Sequence, residues 1–156
     1  MDLTGIFGLA QFDLLSSLAL AAVLGAAIGL ERELTGKEAG LRTNMLICIG
    51  SALLTALSIT LASGSDMADA TRIAAQIVSG IGFLGAGVII RDRGQVKGLT
   101  TAATIWVVAA IGMACGGDEY VAAIGTTVLV LIVLIPLRWW ERRMETSRHS
   151  EEQQQS

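Results

Sequence analysis

Apolar residues in this chain gather into five runs, at residues 12–30, 43–62, 73–90, 99–115 and 120–137. Each is close to the roughly 17 to 25 residues that a helix needs to cross the hydrocarbon core of a bilayer. Between them lie the polar links ERELTGKEAGLR, SGSDMADATR, RDRGQVK and GGDE, which are too short to build a soluble core. Backbone polar groups cannot stay unpaired in lipid, so the runs are predicted as helices rather than isolated strands. The expected fold is all-α, a polytopic membrane bundle of about five transmembrane helices. Residues 1–140 form the membrane domain on this reading. Residues 141–156 form a tail whose closing HSEEQQQS has no apolar residue and is expected to be disordered.

Charge gives the bundle a direction. The links after the first and third runs carry Arg32, Lys37, Arg42, Arg91, Arg93 and Lys97, and the tail carries Arg138, Arg142, Arg143 and Arg148. That side holds all but one of the 11 basic residues, while the other has Arg72 among Asp66, Asp69, Asp118 and Glu119. Basic residues are retained on the cytoplasmic side, so the N-terminus is expected outside and the C-terminus in the cytoplasm. Trp139 and Trp140 beside Arg138 suit an interfacial anchor closing the fifth helix, with Pro136 tolerated near its end.

Composition supports a membrane solvent: 53% of residues are hydrophobic and 16% charged, against about 25% charged in an ordinary soluble domain. The opening MDLTGIFGLAQFDLL has no basic residue before its apolar run. It therefore lacks the positive region of a secretory signal, and the first segment is expected to be retained. Cys48 and Cys115 form no C-x-x-C pair, and the five-span topology separates them by about a membrane thickness. Neither a disulfide nor a zinc site is indicated.

Residues 80–85 read GIGFLG, a literal G-x-G-x-x-G, but they fall inside a membrane-length span with no separate strand and turn. A dinucleotide site is rejected on that context. Gly80, Gly82, Gly85 and Gly87 are instead expected to let helix backbones approach, as are Gly25 and Gly29 in the first helix. The polar candidates converge on the cytoplasmic mouth. Glu31, Arg32, Arg42 and Asn44 flank the first link, and Thr100 and Thr104 open the fourth helix at the same depth. Three glutamates interleaved with three basic residues exceed what orientation requires, since carboxylates contribute little to topology. A membrane-helix threonine more often bonds its own backbone, whereas the amide of Gln76 must find a partner on another helix or a bound species. Asp69 and Arg72 read as a surface pair. No ionisable residue falls near the centre of any span, which argues against a carboxylate-driven pump. No nucleophile, base and oxyanion set appears, and the lone His149 sits in the tail, so neither an enzyme nor a cofactor is expected.

Three long blocks then acquire a family likeness. GLERELTGKEAGLRTNMLICIGSALLTALS, RIAAQIVSGIGFLGAGVII and GLTTAATIWVVAAIGMACG, in that order, resemble the hydrophobic domain of the MgtC/SapB family. The resemblance implies a bacterial inner-membrane protein linked to magnesium or acid-stress homeostasis and, in some members, to virulence. It implies a non-enzymatic regulator working through contacts with another membrane protein such as the F-type ATP synthase, or with a second copy of itself. It implies neither nucleic acid nor a defined metal site. The sequence reaches Ser156 without the soluble domain that follows the membrane domain in longer members, which weakens the virulence expectation. The alternative reading is a small ion or solute transporter or channel whose path passes the polar mouth and Gln76.

Overall fold

The computed structural model describes residues 3–63, 71–92 and 95–135. Five helices lie among them: α1 (Leu3–Leu34), α2 (Leu41–Ala62), α3 (Thr71–Gly87), α4 (Leu99–Gly116) and α5 (Tyr120–Ile135). Three stretches, Phe12–Leu34, Leu41–Ala62 and Leu99–Gly116, are long and apolar enough to cross a membrane, whereas the apolar stretches Ala74–Gly87 and Tyr120–Ile135 are shorter. The expected anchor at Trp139 and Trp140, Pro136, Asp66, Asp69 and the tail lie outside the described residues.

Each long helix buries one stripe repeating every three or four residues, the helical period. On α1 the stripe is Ser17, Ala21, Leu24, Ile28 and Arg32. On α2 it is Asn44, Cys48, Ser51, Thr55 and Ser58, an unusually polar set, and on α4 it includes Thr101, Thr104, Ile105, Val108, Ile111 and Cys115. The outward surfaces are greasy: Leu46 on α2 is 70% exposed, Phe83 on α3 80% and Val121 on α5 87%. Small polar residues inside and large apolar residues outside is the arrangement expected where the solvent is lipid, because association then depends on close packing rather than on burying apolar surface.

Glycine sets the closest contacts. A Cβ on Gly25 would stand 2.8 Å from both the Asn44 carbonyl oxygen and the Cys48 Cβ, and one on Gly29 would stand 2.8 Å from the Leu41 Cα. The α1 glycines thus admit the backbone of α2. In α3 the contacts within the chain are looser. Gly85 faces Ala102 at 3.7 Å, an ordinary contact, and no atom lies within 4 Å of a Cβ built on Gly80, Gly82 or Gly87. The close approach falls instead on Gly112 and Gly116 of α4, where any Cβ would run into the carbonyls of Cys48 and Ala52.

This pairing corrects the expected separation of the cysteines. With Gly112 against Cys48 and Gly116 against Ala52, the first residue of α4, Leu99, falls level with Thr35 in the α1–α2 loop, not with the first turn of α2. Counting depth from helix ends assumed that the two helices begin together. Cys48 and Cys115 instead share one buried cluster with Ala52, Val108 and Ile111, both as free thiols.

The third link also departs from the all-helical expectation. Strands β1 (Ile90–Asp92) and β2 (Gln95–Lys97) pair antiparallel in the register Ile90 to Lys97, Arg91 to Val96 and Asp92 to Gln95. β-branched Ile90 and Val96 favour extended backbone, and a link that leaves the bilayer can pair its own edges. Gly98 then turns the chain into α4 with φ 87, and a side chain there would strike the Val88 carbonyl.

At the opposite end of the bundle, the Tyr120 hydroxyl lies 2.7 Å from Ser17 Oγ on α1 and donates to Asp118 Oδ1 at 2.6 Å. Asp118 occupies the left-handed region, φ 62, in the tight α4–α5 turn. Side chains short enough to bond their local backbone adopt that region most readily among non-glycine residues.

Candidate functional site

The α1–α2 loop is held by side chains from both helices. The Leu41 N–H donates to Glu33 Oε2 at 2.8 Å, satisfying a helix-start donor that Gly40, the N-cap residue, cannot reach with a side chain. Asn44, wholly buried, donates through Nδ2 to the Ala39 and Gly40 carbonyls at 2.7 and 2.9 Å. The Lys37 N–H and the Thr35 hydroxyl both donate to the Arg32 carbonyl. Much of this polar loop is therefore spent on its own shape.

Arg32 stands apart. It continues the buried stripe one turn beyond Ile28 and Gly29, and only 3% of its surface is exposed. Its Nε donates to Glu31 Oε2 at 2.8 Å in an ion pair, and the Glu31 side chain is 9% exposed. The pairing leaves Arg32 Nη1 and Glu31 Oε1 buried without partners, along with Asn44 Oδ1 and Thr55 Oγ1. An unsatisfied buried polar group costs about 1–3 kcal/mol, more when charged. Thr55 lies near Gly117 at the other end of the bundle, while the other three, on Glu31, Arg32 and Asn44, gather where α1 ends and α2 begins.

Not all the sequence candidates gather there. Arg42 is exposed and Glu31 pairs with Arg32 instead. The reason is the helical period: Arg32 falls three and four residues beyond Gly29 and Ile28, on the face turned to α2. Thr104 is buried, and its hydroxyl donates to the Thr100 carbonyl at 2.8 Å, the backbone role that membrane-helix threonines commonly take. Thr100 is exposed at the start of α4. Gln76 is exposed on α3 and lines an apolar groove of about 540 Å³ between α2 and α3, whose lining includes neither Glu31 nor Arg32. Thr101, the neighbour that the sequence puts at the same depth as Thr100 and Thr104, is 4% exposed, whereas sequence reasoning passed over the Gly112 and Gly116 pair. The latter is a G-x-x-x-G step of the kind noticed in α1, and would have been found by the same rule.

Among the described residues no group of three or more His, Cys, Asp or Glu side chains could hold a metal ion. The long apolar helices, their outward-facing large hydrophobics and a buried polar cluster at one end define a membrane helical bundle. The sequence pattern of the MgtC family matches residues 18–143, and the chain belongs to that family. It is 47% identical over 128 residues to Protein MgtC of Salmonella typhimurium, covering 82% of this chain and 54% of that protein. It is 41% identical over 145 residues to Protein SapB of Bacillus subtilis, covering 89% and 62%. An uncharacterized protein of Haemophilus influenzae is 42% identical over 157 residues, covering 94% and 66%. The chain thus spans about half to two thirds of the length of these relatives. No solved structure matches it.

Proposed function

We propose that this chain is a multi-pass protein of the bacterial inner membrane, N-terminus outside and C-terminus cytoplasmic, acting in magnesium or acid-stress homeostasis by contact with another membrane protein and without enzymatic chemistry. The observation that carries the reading is how much of the surface of α3 is left open. Val78, Phe83 and Leu84 are exposed there, and Gly80, Gly82 and Gly87 meet nothing within 4 Å. Glycine lowers helix stability by about 0.5–1 kcal/mol relative to alanine, so several on a free face suit a helix that receives another backbone. The ten-to-one division of basic residues supports the orientation.

The test is a photoreactive benzoylphenylalanine in place of Phe83, irradiated in native membranes. We expect a discrete adduct with a membrane protein, a subunit of the F-type ATP synthase being the first candidate, that disappears when Gly82→Leu is added. Persistence of the adduct in Gly82→Leu, or its absence altogether, would refute the contact.

The buried orphan atoms of Glu31, Arg32 and Asn44 favour a second reading, a small transporter with a polar site at the cytoplasmic mouth. Purified protein in liposomes, assayed for magnesium and proton flux, separates the two. Flux abolished by Arg32→Gln would replace the first reading with the second.

A further inference from the structure

The open surface of α3 carries polar side chains as well as apolar ones. Leu46, Gly50, Leu54, Gly80 and Leu84 line the groove of about 540 Å³ between α2 and α3, and so does Gln76. Arg72 lies four residues before Gln76, which puts the two on one side of the helix, and both are exposed. We propose that this groove seats a transmembrane helix of another protein, one that presents a carboxylate to Arg72 and a hydrogen-bonding side chain to Gln76 one turn deeper. The proposal rests on the α3 contact read above and names the chemistry of its partner.

Depth makes the amide costly to leave alone. Helix α3 starts at Thr71, and Gln76 lies roughly 7.5 Å further along its axis. Because the helix is shorter than the hydrocarbon core, that depth falls inside lipid under the five-span reading. Among the described residues no hydrogen bond reaches the Gln76 side chain. A lipid acyl chain has none to offer, and the backbone of an incoming helix is already paired within itself. What satisfies a primary amide in this setting is a polar side chain on a neighbouring helix.

Arg72 supplies the charge. It is the one basic residue on the side that the division of Lys and Arg assigns to the exterior, where the same rule disfavours it. It also stands in the first turn of α3, where the helix dipole disfavours a cation. A residue placed against both trends suits a specific anion, and a guanidinium, which only donates, matches a planar carboxylate through two parallel bonds. Arg72 has no partner among the described residues, and Asp69, three residues before it, lies outside them. Room for the incoming helix is present too. A Cβ on Gly50 of α2 or on Gly80 of α3 would meet nothing within 4 Å, and small residues on both walls let a third backbone approach.

Benzoylphenylalanine replaces Leu46, an exposed residue of α2 that lines the groove, and is irradiated in native membranes alongside the Phe83 probe. We expect both probes to capture the same protein. The peptide joined at Leu46 should be a transmembrane helix with Asp or Glu at its outer end and a hydrogen-bonding side chain one turn deeper. Gln76→Leu should lower the Leu46 adduct about threefold or more, the scale of one interhelical hydrogen bond in lipid. Arg72→Gln should lower it too, whereas Asp69→Asn should not, all at parental protein abundance by blot. Gln76 and Arg72 are exposed, so the packing of the bundle does not depend on them. Capture at Leu46 of a phospholipid, of a second copy of this chain or of a peptide without those side chains would overturn the proposal. So would adducts unchanged in Gln76→Leu and Arg72→Gln, or no adduct at Leu46. Any of these beside an intact Phe83 adduct leaves the α3 contact standing, whereas absence of the Phe83 adduct removes both.

Discussion

Replacing Gly112 with alanine adds a single methyl group at the tightest point of the bundle, where it would enter the Cys48 carbonyl. A carbon and a carbonyl oxygen normally rest about 3.3–3.6 Å apart, so α2 and α4 must separate for the methyl to fit. Overpacking of this kind destabilises by about 1–3 kcal/mol. In a chain of this size each kcal/mol moves the midpoint by about 2–4 °C, so Gly112→Ala should melt about 2–12 °C below the parent. Gly80→Ala is the internal control. Nothing lies within 4 Å of its new methyl, and relief of glycine's entropy should add about 0.5–1 kcal/mol. Gly116→Ala strikes the Ala52 carbonyl on the same pair of helices. The displacement that relieves one clash relieves part of the other, so the double variant should lose less than the two singles combined. Far-ultraviolet circular dichroism of protein in detergent reads all four melts. A parental midpoint for Gly112→Ala, or an equal fall for Gly80→Ala, would refute the direct contact of α2 and α4 backbones.

Arg32→Ala strands the buried Glu31 carboxylate and should lose about 3–5 kcal/mol, whereas exposed Arg42→Ala should stay within about 0.5 kcal/mol; denaturation in detergent distinguishes them, and equal losses would remove the special status of Arg32. Tyr120→Phe deletes the hydroxyl that meets Ser17 and Asp118 and should destabilise by about 1 kcal/mol, read as a small drop in melting midpoint. A reporter active only in the cytoplasm should work when inserted at Lys37 and fail at Gly64, and activity at Gly64 would overturn the proposed orientation.

Apolar run length located the helices because it reflects the solvent directly: a lipid-facing segment cannot afford a polar stretch, and the sequence shows where each one stops. The approach of α1 to α2 was legible for a similar reason, since small residues four apart have few other uses in a membrane helix. The same spacing occurs at Gly112 and Gly116, but the denser glycines of α3 drew the expectation away from it. Density of glycine says that a backbone is accessible, and not whether the neighbour lies in the same chain. Register was less legible still. Where α4 sits along α2 depends on which carbonyl each glycine admits, and that placed Cys48 with Cys115 and Thr101 against the loop. The burial of Arg32 rather than Arg42 could have been read by extending the α1 stripe one more turn, whereas charge alone treats the two as equals.

The modest length of α3 has a consequence for the bilayer itself. Its 17 residues rise roughly 25 Å, short of a hydrocarbon core of about 30 Å, while α1 runs for 32 residues. Under the five-span reading, lipid beside α3 must thin or the helix ends must draw in headgroups, and each ångström of mismatch adds a fraction of a kcal/mol. A protein seated on α3 would displace that strained annulus, so the shortness of the helix would favour the contact even where the two surfaces attract each other weakly.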